Sequence, residues 1–231
     1  MRVIGLLGGM SWESTAEYYR VINQEVRRRL GRQHSAKLVM YSVDFEEIEQ
    51  LQRAADWDRA GRILAAAAGG VQNGGADILV LCTNTMHKVA PAIEAAIDIP
   101  LIHIADATAE AVLEQGIERV GLLGTRFTME EDFYKGRLAG DHGLEVLVPD
   151  AEDRAIVDRV IFNELCLGKI LEESRSEYER IIRGLADRGA EGVILGCTEI
   201  GLLVGPDDSA LPVFDTTRIH SMTAVDRALS A

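Results

Sequence analysis

Apolar positions along the chain follow two alternating rhythms. Short, nearly continuous runs at 2–7, 38–43, 77–82 and 99–102 have the length and density of strands covered on both faces. Between them the spacing widens to three or four residues. Trp12 to Leu30 is expected to be a helix with Ser11 as its N-cap and Glu13 in its first turn. From Asp44 the pattern predicts one long helix through Ile48, Leu51, Ile63, Leu64 and Val71, closed by Gly74-Gly75, and a further helix over 85–97. Strand and helix alternate, which predicts an α/β fold with parallel sheet and right-handed crossovers.

The pattern then starts again. Arg119-Val120-Gly121-Leu122-Leu123-Gly124 echoes the run from Arg2 to Gly8, Gly189-Ala190-Glu191 echoes Gly75-Ala76-Asp77, and Leu211-Pro212-Val213 echoes Ile99-Pro100-Leu101. The offsets, taken from 8 to 124, 75 to 189 and 99 to 211, stay within a few residues of 114. Two similar Rossmann-like halves related by a pseudo-two-fold are therefore expected, with the ligand between them at the carboxyl ends of the strands. The N-terminal half should span 1–104 and be completed by a C-terminal helix over 216–231, the second half 105–215.

A chain of 231 residues with 47% hydrophobic and 26% charged residues can bury a core in each half. Its formal charge of −13 argues against nucleic acid, whose binding relies on clustered cations. Arg27-Arg28-Arg29, the one basic run, falls where a helix C-terminus favours cations. No apolar run approaches a membrane span, so a cytoplasmic protein without a membrane partner is expected. Cys82, Cys166 and Cys197 are too few for a disulfide framework and lack metal-ligand spacing, so no metal is expected.

Two strand ends carry the candidate chemistry. Leu79-Val80-Leu81 breaks into Cys82-Thr83-Asn84-Thr85-Met86-His87, and Val193-Ile194-Leu195 breaks into Gly196-Cys197-Thr198-Glu199. An offset of 114 pairs Thr83, and not Cys82, with Cys197. Cys197 precedes an expected helix start whose amides would favour a thiolate, able to act as base or nucleophile. Cys82 points by alternation to the face opposite Thr83, as a core cysteine would, and Cys166 lies on the apolar stripe of a helix. Asn84, Thr85 and Thr198 are either donors for a small carboxylate or amino group or plain helix caps. His87 is either a supporting partner of this cluster or a helix-surface residue. Gly8-Gly9 is either an anion-binding turn or only a tight one.

Taken together, Gly8-Gly9-Met10-Ser11, Asn84-Thr85-Met86-His87, Gly124-Thr125 and Gly196-Cys197-Thr198-Glu199 resemble the aspartate/glutamate racemase family, which works without pyridoxal phosphate, over essentially the whole chain. The resemblance implies a cofactor-free homodimer acting on a small anionic amino acid, with acid and base on opposite faces of Cα. The family's first cysteine falls at Thr83 here, so the sequence is most similar to the bacterial L-aspartate/glutamate-specific variant. Cys197 is then the base for the L-substrate and Thr83 the group that reprotonates the other face. Met10, Ser11, Asn84, Thr85 and Thr198 are implied to hold the α-carboxylate and amino groups, with Glu199 at the ammonium and Gln52 and Lys169 at the distal carboxylate. Alternatives are a relative that isomerises maleate, decarboxylates arylmalonates or racemises hydantoins, or a non-catalytic binder of a small dicarboxylate.

Overall fold

The computed structural model describes residues 1–230, which form two compact units. The first comprises 1–103 together with the segment from His220 onward, the second 104–219. In the first, β1 (Ile4–Gly8), α1 (Trp12–Leu30), β2 (Leu38–Ser42), α2 (Phe45–Arg53), α3 (Trp57–Asn73), β3 (Ile78–Leu81), a 3-10 turn (Thr85–Val89), α4 (Ala90–Glu94) and β4 (Leu101–Ile102) follow in order. The second holds α5 (Ile104–Leu113), β5 (Arg119–Gly124), α6 (Arg126–Glu130), α7 (Asp132–Gly140), β6 (Glu145–Leu147), α8 (Ala151–Asn163), α9 (Glu172–Asp187), β7 (Gly192–Gly196), α10 (Ile200–Leu203) and β8 (Val213–Asp215). The last helix, α11 (Thr216–Leu229), starts in the second unit and ends in the first.

Each unit carries one four-stranded parallel sheet, ordered β2-β1-β3-β4 and β6-β5-β7-β8. The α/β class and the internal repeat are thus both present, because the two orders match strand for strand. Alternation divides each sheet into two cores. In the first unit Ile4, Leu6, Ile78, Val80 and Cys82 pack against Tyr18 and Ile22 of α1 and Ala224 and Val225 of α11. Leu7, Leu79 and Leu81 face α2 and α3. In the second, Val120, Leu122 and Ile194 face α5 and α7, while Leu123, Val193, Leu195 and Cys197 face α8 and α9.

The echoed glycines have a shared packing role. A Cβ on Gly5 would lie 2.3 Å from Val71 Cγ1 of α3, and one on Gly121 2.8 Å from Leu185 Cδ1 of α9. In both units the helix before the second central strand sits directly on the first, so close that a methyl there would have to displace a side chain of the helix.

Three local expectations differ from the structure. The long helix from Asp44 is two, because Ala55 turns to φ 54° and Asp56 caps α3 through its side chain. Pro91 lacks an amide hydrogen and is admitted only in a first helical turn, so the helix over 85–97 divides into the 3-10 turn and α4. Pro100 cannot donate to the ladder, and its carbonyl accepts from Leu79 N at 2.9 Å, leaving β4 two residues long. The cap at Ser11 and the glycine stop at Gly74-Gly75 form as expected.

Candidate active site

Register within each sheet fixes which residues of the two strand ends correspond. Leu7 pairs with Leu81 in the first unit, and Leu123 pairs with Leu195 in the second. With Gly8 matched to Gly124, Cys82 corresponds to Gly196 and Thr83 to Cys197. The offset of 114 therefore holds in the hydrogen-bond ladder as well as in the sequence.

In the first unit, Cys82 is fully buried among the side chains under α1 and α11, and burial pushes its thiol far above the usual cysteine range. It is a core residue. Thr83 follows with 5% exposure, its N-H donating to the Leu81 carbonyl at 2.9 Å. Asn84, Thr85 and His87 are buried beside it, and the His87 ring nitrogen Nδ1 lies 2.7 Å from the Thr83 carbonyl oxygen. Gln52, on α2, is also buried and donates to Met86 Sδ at 3.0 Å. Met10 and Ser11 are buried at the end of the glycine turn, joined by a cis peptide bond. One donor of that turn is committed internally, since Gly9 N-H bonds Thr15 Oγ1 at 2.9 Å. A Cβ at Gly9, whose φ is 92°, would meet Val43 O at 2.3 Å, so the turn needs glycine whatever it binds.

In the second unit, Cys197 is 8% exposed and its thiol donates to Glu199 Oε2 at 3.0 Å. The same oxygen accepts from Thr198 Oγ1 at 2.9 Å. Burial first, and then the nearby Glu199 charge, hold the Cys197 thiol well above its ordinary range. This corrects the expectation of a thiolate favoured by a helix start. The helix that follows, α10, spans only four residues, and the one amide that favours the thiolate, that of Glu199, is outweighed by burial and by the Glu199 carboxylate. Cys166 is half-buried against the same core. Lys169 stands exposed after Gly168, which turns the chain at φ 69°; its own N-H is bonded to Glu164 O at 2.9 Å.

The first unit thus holds Met10, Ser11, Gln52, Thr83, Asn84 and Thr85 as buried residues, and the second Cys197, Thr198 and Glu199, joined by the hydrogen bonds to Glu199. Two features escaped sequence reasoning. The Cys197–Glu199 bond depends on a side-chain rotamer, for which the spacing Cys-Thr-Glu was the sole clue. His103 and His220 lie against His87, with ring centroids at 4.4 and 6.0 Å, and nothing in the sequence joins residues 16 and 133 positions away. No group of histidine, cysteine and carboxylate side chains able to hold a metal exists among the described residues.

Comparison with known proteins agrees with this architecture. The Asp/Glu/hydantoin racemase family model matches residues 7–224. A Yersinia pestis structure, of a candidate Asp/Glu racemase, is 57% identical with a TM-score of 0.93, each chain covered in full. The structure of an aspartate racemase homologue from Pyrococcus horikoshii is 35% identical, TM-score 0.86, again over the whole of both chains. A broad specificity amino-acid racemase of Bacillus subtilis is 21% identical over 99% of each chain. With two matching α/β units and a family match across nearly its whole length, the chain belongs to the Asp/Glu/hydantoin racemase family and is an isomerase of the racemase type.

Proposed function

We propose that this chain racemises L-aspartate, L-glutamate or both without a cofactor, Cys197 removing the Cα proton and Thr83 supplying one to the opposite face. The observation that supports it is the correspondence of Thr83 with Cys197 at matching strand ends, with a thiol at only one of them. Because the resting Cys197 thiol already donates to Glu199, this carboxylate receives its proton to release the thiolate. The thiolate then takes the Cα hydrogen as a proton, the electron pair left on carbon takes the Thr83 hydroxyl proton, and solvent water returns a proton to the Thr83 alkoxide while Glu199 gives up the one it received. Asn84, Thr85 and Thr198 serve the carboxylate and amino groups, Met10 and Ser11 the α-carboxylate, Gln52 and Lys169 the distal carboxylate. A threonine hydroxyl is a poor base near neutral pH, so loss of the Cα hydrogen from the D-enantiomer should be much slower than from the L-enantiomer. Homodimer assembly and a cytoplasmic setting belong to the same reading; sedimentation of the purified chain tests the dimer.

The test is proton exchange. Incubated in deuterated water, L-aspartate or L-glutamate should lose its Cα hydrogen, and Cys197→Ala should slow that loss by about 10²–10⁴-fold. Thr83→Cys should create exchange from the D-enantiomer. Rapid exchange of D-substrate by the unaltered protein would defeat the assignment of one thiol to one face. A second reading, a racemase of wide substrate range, is favoured by the full-length likeness to the Bacillus subtilis protein. Exchange of neutral L-amino acids as fast as the acidic pair would select it.

A further inference from the structure

The main chain at Thr83 is gripped from both sides. β3 ends at Leu81, so Thr83 lies beyond the ladder. Its N-H donates to the Leu81 carbonyl at 2.9 Å, and its own carbonyl faces His87 Nδ1 at 2.7 Å. A carbonyl only accepts, so Nδ1 carries a hydrogen.

The ring is itself held in place. The imidazole of His103 meets it at 4.4 Å and an interplanar angle of 63°, and that of His220 at 6.0 Å and 62°. His220 in turn donates from Nε2 to Ile102 O at 2.7 Å and accepts at Nδ1 from Tyr18 Oη at 2.9 Å. His87, His103, His220 and Tyr18 are all buried. At the corresponding strand end the residue four beyond Cys197 is Gly201, and the Cys197 carbonyl accepts instead from the main-chain N-H of Ile200 at 3.1 Å, with no side chain of the described residues on it.

We infer that His87 is a positioning residue for Thr83, clamping its carbonyl so that the one hydroxyl proton is aimed at the substrate carbon. This rests on the racemase reading above and adds a residue to it. The physical motive is the difference between the two strand ends. A thiolate offers diffuse lone pairs and tolerates some play, whereas a hydroxyl must present its single hydrogen in line, and a misplacement near 1 Å can cost about 10²-fold.

Two rates separate this role from mere support of the fold. Washout of the Cα hydrogen from L-aspartate or L-glutamate in deuterated water needs only Cys197, while formation of the D-enantiomer needs Thr83 as well. His87→Leu should lower D-enantiomer formation by about 10²-fold and leave washout within about twofold, which also shows that the variant is folded. His87→Asn, whose amide can reach the same carbonyl, should recover most of the lost inversion. Equal loss of both rates, loss of neither, or an Asn variant no better than Leu would overturn the inference. Absence of washout from the unaltered protein would instead defeat the racemase reading on which it stands.

Discussion

At the scale of single residues, the Cys197–Glu199 contact sets the most informative expectation. A buried thiol beside a carboxylate is kept protonated, with burial the larger cause and the Glu199 charge the next. Glu199→Gln removes that charge while keeping an acceptor oxygen, so the thiol should ionise at lower pH. Iodoacetamide labelling across a pH series, with peptides carrying Cys82, Cys166 and Cys197 separated by mass, should show the Cys197 midpoint moving down and the Cys82 peptide unmoved. An unmoved Cys197 midpoint would mean that burial alone sets it. The residue types at both strand ends were legible in the sequence, as was the displacement from Cys82 to Thr83, because strand alternation and repeat spacing are one-dimensional properties. The direction of the Cys197 shift was not. It depends on how deeply the thiol is buried and on the Glu199 carboxylate outweighing the Glu199 amide, and only the folded arrangement decides that.

Among elements, the repeated Ile-Gly-Leu-Leu and Val-Gly-Leu-Leu runs record a packing constraint in each sheet. Gly5→Ala forces a methyl against Val71 Cγ1 and against Ala76 Cβ, which a Cβ would approach to 2.8 Å. It should destabilise by about 1–3 kcal/mol in urea unfolding. Gly121→Ala meets the far end of Leu185, which can rotate away, and should cost about 1 kcal/mol or less. Equal costs would mean that α3 and α9 adapt alike. The succession of strands and helices, helix α1 and its Ser11 cap followed from periodicity and capping chemistry. The break between α2 and α3 did not, since Ala55 carries no sign that it adopts a positive φ. Nor did the division at Pro91, where the apolar pattern continues unbroken across two kinds of helix.

For the molecule as a whole, acid stability should turn on His220. Burial depresses its pKa to about 4, partly opposed by its bond to the Ile102 carbonyl, against about 6.5 for an exposed imidazole. Between these values the unfolded chain binds more protons than the folded one, so stability falls as pH falls from about 6.5 to about 4. The contribution is fully present above that window, and its loss amounts to about 3 kcal/mol. His220→Gln should flatten this part of the urea midpoint against pH; an unchanged slope would place the acid response elsewhere. The helix that carries His220 also bears on how the chain is made. Ala224, Val225 and Ala228 cover the face of the sheet to which Ile4 and Leu6 belong. During synthesis the segment 104–219 can close as soon as it emerges, while β1, made before it, must wait for side chains of α11 made after it. Vectorial folding here runs in reverse of the usual order: the unit begun first is finished last.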